Sequence, residues 1–360
     1  MVVRSIPFAE LQPGQKLQKT IYDDNGRLLL RAGTTLTFRH LQLMKDWGLD
    51  KVEVAGEWPE DSTEVPPVHV IDSALQGEML SAIDEVFTSV AEDKALDFAR
   101  IANSTASLVQ EITGHTSVTL DLAGLRQVDN YTFMHSLAVG VLSVAAGVEL
   151  GFRQDDLLDL SLAAVLHDVG KSRIPLQVLN KPGKLDADEW QLMKRHPRLG
   201  AELLSERGGL STTILQGVYE HHERNDGSGY PHSRNGQVIG NLGKIIAVAD
   251  FYDAITSDRV YRPGTEPHLA VEQLIAESLS TYDTTAVRAF IRSLAVYPVG
   301  STVVMENGDL GRVIGYDRDV PHRPKVQIVC DHTGLWLPEP QECDMMRELS
   351  RFIKEVRKVS

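Results

Sequence analysis

The chain has 360 residues, with 36 Lys and Arg against 50 Asp and Glu and 42% apolar side chains, a composition of globular proteins of two or three domains rather than of disordered or fibrous ones. Its formal net charge of -14 argues against a general binder of nucleic-acid polymers, because phosphate backbones need clustered Lys and Arg; any phosphate must be met by local cations. The two cysteines, Cys330 and Cys343, provide neither a disulfide framework nor a four-thiolate zinc site and fit a reducing cytoplasm. The opening MVVRSIPFAELQPGQ has no apolar stretch of the signal-peptide kind. The longest apolar run, Phe133 to Val148, contains His135 and falls short of the roughly 20 residues that span a bilayer, so no membrane segment is expected.

In chain order, residues 1–56 read as a small α+β module. Asp23-Asp24-Asn25-Gly26 separates two apolar-rich runs, a hairpin signal because Asn and Gly accept positive φ, and the spacing predicts a helix from Thr37 to Trp47. Residues 57–70, beginning EWPEDSTEVPPVH, have the acidic, Pro-rich composition of a linker. From Ile71 to about Leu294 apolar residues recur every three or four positions, which predicts a helical domain preceded by connecting helices over 71–124. Gly151 and Gly170 are read as helix stops, Asp186 with Glu189 as a capping box for a helix beginning at Ala187, and Pro197 as a break or a new first turn. Residues 296–360 contain strand-like runs joined by Glu306-Asn307-Gly308-Asp309. They predict a short β-hairpin unit packed on the helical domain, followed by a tail helix over roughly Cys343 to Lys358.

The helical domain concentrates histidine beside carboxylate: His135, the pair His167-Asp168, His196, the pair His221-His222, and Asp250. A carboxylate after the apolar run LSLAAVL is costly to bury unless a cation or donor compensates it. Nitrogen and oxygen ligands together suit divalent transition metals such as iron, manganese or zinc. Five imidazoles and two carboxylates exceed the needs of one octahedral ion, so two ions are expected. His40, His69, His115, His232, His268, His322 and His332 show no such pairing and are read as ordinary histidines.

LHDVGKSRIP, RHP, HHERNDGSGYP and VADFYDAITSDRVYR follow one another in this order. This set of motifs resembles the HD-GYP branch of the HD phosphohydrolase superfamily, over about residues 125–295. The resemblance implies a mainly α fold: a helical HD-type domain with the small N-terminal α+β module and the C-terminal β-hairpin unit at its ends. It also implies a cytoplasmic cyclic di-GMP phosphodiesterase, in which a metal-bridging hydroxide opens the substrate to pGpG, further cleavage to GMP being left open. The implied metal ligands are His135, His167, Asp168, His196, His221, His222 and Asp250, with Asp168 bridging two ions, iron or manganese ahead of other divalent metals. Lys171 is implied at the scissile phosphate, and Arg259 and Arg262 at the substrate's phosphates, where planar guanidinium groups grip phosphate oxygens. Gly229, Tyr230 and Pro231 are implied to shape the open side of the site and to offer a docking surface for a protein partner.

Two positions depart from the family pattern. Tyr131 stands one helical turn before His135, where some members carry a glutamate for a third metal, so two ions are expected here. After Pro231 the chain runs His232-Ser233-Arg234-Asn235-Gly236 in place of a Gly-Leu-Lys-Gly-like segment. Asp253, three residues after Asp250, is placed to orient a ligand histidine or to face water. An HD-type hydrolase of another cyclic dinucleotide or nucleotide, and a non-catalytic cyclic di-GMP receptor, are the alternative readings. Homodimerisation stays open.

Overall fold

A computed structural model describes residues 2–8, 11, 15–22, 27–49, 51–56, 71–96, 98–114, 131–257, 264–332 and 336–357. The expected Asp23–Gly26 turn, the linker over 57–70, and Asp129, Arg259 and Arg262 lie outside these residues. The chain divides into two compact units. One joins Met1–Pro66 to Tyr297–Asp317 and His322–Ser360; the other is Pro67–Val296 with Arg318–Pro321.

In the first unit, β1 (Val2–Pro7) and β4 (Lys51–Gly56) pair antiparallel, as do β2 (Ile21–Tyr22) and β3 (Leu28–Leu30). Helix α1 (Phe38–Asp46) starts where Thr37 accepts the His40 N–H at 3.2 Å. These elements close over Leu17, Leu36, Met44 and Val54.

The helical unit comprises α2 (Ser73–Ala91), α3 (Phe98–Gly114), α4 (Tyr131–Glu149), α5 (Gln154–Leu166), a 3-10 turn (Val169–Arg173), α6 (Leu176–Leu179), α7 (Ala187–Met193), α8 (His196–Arg207), α9 (Thr212–Glu220), α10 (Asn241–Thr256), α11 (Pro267–Glu277) and α12 (Thr284–Arg292). No described helix is long and apolar enough to cross a membrane. The centre is α4, buried on every side from Met134 to Gly147 and packed by α2, α3, α5, α10 and α12. A helix apolar all round belongs in a core, and its burial carries His135 inward. The capping box forms, with Asp186 accepting the Glu189 N–H and Glu189 accepting the Asp186 N–H, and Pro197 takes its place in the first turn of α8.

Three expectations need correction. First, Gly170 does not close α5, which ends at Leu166; it sits inside the 3-10 turn. Glycine is required there because a Cβ would lie 2.0 Å from the His196 carbonyl oxygen and 2.5 Å from the Gly200 nitrogen. Second, the hairpin of β5 (Thr302–Met305) and β6 (Leu310–Gly315) is part of a larger sheet with β7 (Lys325–Cys330), β8 (Trp336–Asp344) and β9 (Ile353–Arg357), in the order β8-β7-β6-β5-β9. It is grouped with the N-terminal residues. Third, no tail helix forms over Cys343 to Lys358. Cys343 ends up in β8 opposite Val326, and Ile353 and Val356 pair with Met305 and Val303 of β5. The ladder offered by β5 outweighs the helix propensity of this polar stretch, since propensity is a weak prior against tertiary pairing.

Leu142, fully buried in α4, is expected to cost about 2–5 kcal/mol when cut to alanine, because the cavity adds to the lost transfer energy. Denaturant midpoints of the Leu142→Ala chain measure this.

Candidate metal centre

Five elements deliver histidine and aspartate to one place. His135 comes from α4, His167 and Asp168 from the junction of α5 with the 3-10 turn, His196 from the first turn of α8, His221 and His222 from the end of α9, and Asp250 from α10. The ligand atoms of His196, His221 and His222 all lie within 4.8 Å of one another, as do those of His135, His167 and Asp250, and those of His167, Asp168 and His221. Asp168 stands between the first two groups. Its Oδ1 is 3.4 Å from His196 Nε2, and its Oδ2 is 3.4 Å from His167 Nε2 and 3.7 Å from His135 Nε2.

Three of the histidines are held by the same local bond. His167 Nδ1 lies 2.7 Å from the Ala164 carbonyl, His196 Nδ1 2.8 Å from that of Met193, and His221 Nδ1 2.7 Å from that of Val218. In each case the carbonyl is three residues upstream, within reach at the last turn of a helix or in the turn leading into the next. Only an N–H can pair with a carbonyl, so these partners assign a proton to Nδ1, and in the neutral ring Nε2 is then the nitrogen that carries the lone pair. His135 is oriented by a side chain instead: its Nδ1 lies 2.7 Å from Asp253 Oδ2, and Ser257 Oγ donates to the other oxygen at 3.0 Å. Asp253 thus takes the orienting role, the kind of outer contact that fixes a ligand ring.

Several atoms in this cluster lack a partner that protein chemistry alone would supply. His167 Nε2 and Asp168 Oδ1 are buried and make no hydrogen bond among the described residues. The Nε2 atoms of His196 and His221 face each other at 3.2 Å. Burial lowers the His196 pKa to about 4 and holds His221 well below the ordinary 6.5, the nearby imidazoles adding to the effect. Both rings are therefore neutral near pH 7, with lone pair turned toward lone pair. Buried acceptors crowded in this way are compensated by cations, so the donor set fits divalent metal ions.

The carboxylates point the same way. Burial raises the pKa of Asp168, but the charges of Lys171, His167 and His196 outweigh it and hold the carboxyl well below its usual range. Asp250 behaves likewise, with the His135 hydrogen bond and the His222 charge overcoming burial. Burial pulls His135 down, yet hydrogen bonds to Asp250 and Asp253 keep it well above its ordinary value. His222 is lowered by burial and by His221.

The mouth of the cluster is marked by Lys171, whose Nζ donates to Asp168 Oδ2 at 2.5 Å with the side chain 29% exposed. The Gly229–Pro231 loop folds back on the histidine pair. Tyr230 N–H donates to the His222 carbonyl at 3.1 Å, and its ring lies 4.7 Å from that of His222. Gly229 is the residue that permits this approach, since a Cβ would lie 2.4 Å from Arg224 N and 2.5 Å from the His222 oxygen. The side chain of Tyr131 is not among the described ones.

Sequence reasoning missed Glu220 and Glu223, which flank the histidine pair and are almost wholly buried. Glu223 accepts the N–H groups of His232 and Arg234 at 2.7 and 2.8 Å. Glu220 accepts the Gly240 N–H at 2.7 Å and pairs with the Arg234 guanidinium. These two carboxylates pin residues 232–240 to the segment carrying His221 and His222. The signal was present in EHHE, a histidine pair bracketed by acids at the end of an amphipathic helix.

A helical unit whose inward histidines and aspartates form a cluster suited to cations is the architecture of an HD domain. Residues 115–286 match the HD domain family model, and residues 302–359 match that of a KOW domain associated with HD domain. The chain is 36% identical over 262 residues to the cyclic di-GMP phosphodiesterase PA4108 of Pseudomonas aeruginosa, covering 73% of this chain and 63% of that protein. It is 43% identical over 150 residues to the cyclic di-GMP phosphodiesterase response regulator RpfG of Xanthomonas campestris pv. campestris, covering 41% of this chain and 39% of that protein. It therefore spans less than two thirds of either relative. Bd1817, an HDG"Y"P protein from Bdellovibrio bacteriovorus, shares the fold with a TM-score of 0.50 at 19% identity, over 80% of this chain and 98% of that one. Residues 115–286 are therefore a domain of the HD type, similar to the corresponding part of these phosphodiesterases.

The lowered histidines give a signed pH dependence. As the pH falls from 6.5 toward 4, an unfolded chain protonates histidines that the folded chain keeps neutral, so stability falls with pH. His135 is protonated in both states across this window, and the depressed aspartates respond only near and below 3.8. Thermal midpoints of the metal-free protein are expected to drop through this window; a flat or rising midpoint would contradict the assignment.

Proposed function

We propose that the protein is a cytoplasmic metal-dependent phosphodiesterase that hydrolyses cyclic di-GMP to pGpG, using two divalent cations, iron or manganese. The observation that carries the reading is the meeting of two ligand groups at Asp168, one made by His135, His167 and Asp250 and the other by His196, His221 and His222. Bound there, the cations would supply Lewis-acid charge to phosphate oxygens and lower the pKa of a water molecule.

The chain's own residues have distinct tasks in this reading. Asp168 offers one oxygen to each histidine group, the arrangement of a bridging ligand. The Nδ1 bonds to backbone carbonyls keep His167, His196 and His221 in the tautomer that presents Nε2. Lys171 brings a primary ammonium to the mouth of the cluster, where it would meet the scissile phosphate as negative charge develops. Arg259 and Arg262 would hold the substrate's phosphates in bidentate fashion, which offsets the repulsion between an acidic chain and an anionic substrate. Tyr230 stays neutral, because burial and the Asp250 and Asp168 charges push its phenol up; it closes one side of the site without adding an anion.

The test is anaerobic purification, metal analysis and turnover of a panel of cyclic dinucleotides. Cyclic di-GMP is expected to be the preferred substrate, with pGpG as product. His167→Ala and Asp168→Ala are expected to abolish turnover and reduce metal content; normal turnover in either variant would reject the reading.

Arg259→Ala is expected to raise KM roughly tenfold or more, the scale of a lost charged hydrogen bond, with metal content retained. Loss of metal together with activity would assign that arginine to the fold instead.

A further inference from the structure

The seven residues of α7 include none that is buried. Its apolar residues Trp190, Leu192 and Met193 are only partly covered, so packing alone contributes little to holding it in one position. Local bonds add to this: the Asp186–Glu189 capping box and a bond from Lys181 Nζ to the Glu189 carboxylate at 2.5 Å. The helix leads within three residues to His196, the first residue of α8.

The side chain that α7 holds in place is Trp190, which is 46% exposed. Its ring meets Tyr230 in an edge contact, with centroids 6.2 Å apart and planes at 78°. Tyr230 lies 4.7 Å from the His222 ring and 6.4 Å from that of His196. A series of rings therefore runs from the metal-ligand cluster out to a solvent-facing indole. Single exposed apolar residues are ordinary on a protein surface. This one differs because it sits on a capped helix and packs against Tyr230, a neighbour that is itself part of the site's wall.

We propose that Trp190 is a purine-stacking residue that receives one base of a cyclic dinucleotide whose phosphodiester lies at the histidine–aspartate cluster. The inference rests on the phosphodiesterase reading for the position of the phosphate. Two ring-to-ring steps from His222 correspond to the reach from a phosphate through its ribose to the base. Stacking on an aromatic ring is sequence-tolerant and strong, on the order of 5- to 150-fold in binding per base. The base lies remote from the reacting phosphorus and is held equally in the ground state and the transition state, so its loss should appear in KM rather than in kcat.

Steady-state kinetics and stopped-flow emission of the full-length, metal-loaded chain provide the test. Trp190→Ala is expected to raise KM for cyclic di-GMP about tenfold or more, with kcat and metal content unchanged, and Trp190→Phe to keep most of the wild-type KM. Mixing with cyclic di-GMP should quench tryptophan emission in the wild type, and the quench should be absent in Trp190→Phe. An unchanged KM in Trp190→Ala, or loss of kcat and metal together in both variants, would overturn the proposal while leaving wild-type turnover, and so the phosphodiesterase reading, intact. If the wild type cleaved no cyclic dinucleotide yet showed a Trp190-dependent quench, the reaction assignment would fail and the base contact would stand.

Discussion

A buried carboxylate ringed by imidazoles is the constraint on which the site depends. Asp168 is 1% exposed and faces His135, His167 and His196, while Lys171 reaches one of its oxygens from the mouth of the cluster. An ionised group in such a place needs compensation that burial takes away from water. The surrounding nitrogens offer little of it, because His167, His196 and His221 have committed their Nδ1 protons to backbone carbonyls. The protein therefore crowds the Nε2 atoms of His196 and His221 beside a carboxylate, a setting suited to cations, and the helix ends are what maintain it.

That dependence explains why the ligands sit where helices stop. A histidine at the end of a helix or in the turn beyond it finds, three residues back, a carbonyl near the end of the helical ladder with a lone pair to spare. The bond satisfies the carbonyl and orients the ring together. His135, inside α4, is oriented instead by Asp253 from α10. The same economy appears around the histidine pair, where Glu220 and Glu223 bind backbone N–H groups of the following loop. Metal-ligand geometry and the shape of the opening are thus coupled through a short stretch of chain, and Gly229 lets Tyr230 close on it.

Much of this was legible in the sequence. The adjacent pairs His167-Asp168 and His221-His222, the stop and cap signals, and the 3.6-residue spacing are local features, and each depends on neighbours within a turn or two. The capping box at Asp186 and the first-turn Pro197 were recoverable because backbone chemistry decides them within four residues. Gly170 was misread as a helix stop because its requirement is set by the backbone of His196, a residue from another element. The tail segment was misread because Ile353 and Val356 pair with β5, about fifty positions earlier in the chain. Glu220 and Glu223 looked like helix-end acids until the loop they hold was in view.

The sequence by itself determined the chemical inventory: which side chains could ligate, the helical rhythm that carries them, and the shortage of basic groups that makes local cations necessary. Only the tertiary structure decided that five separate elements bring those atoms within 4.8 Å of one another in two groups, and that Asp168 lies between the groups. The physical reason is range. Caps and periodicities arise from contacts a few residues apart, whereas convergence arises from the burial of α4 against α5 and α10, and that packing is settled by the whole core together.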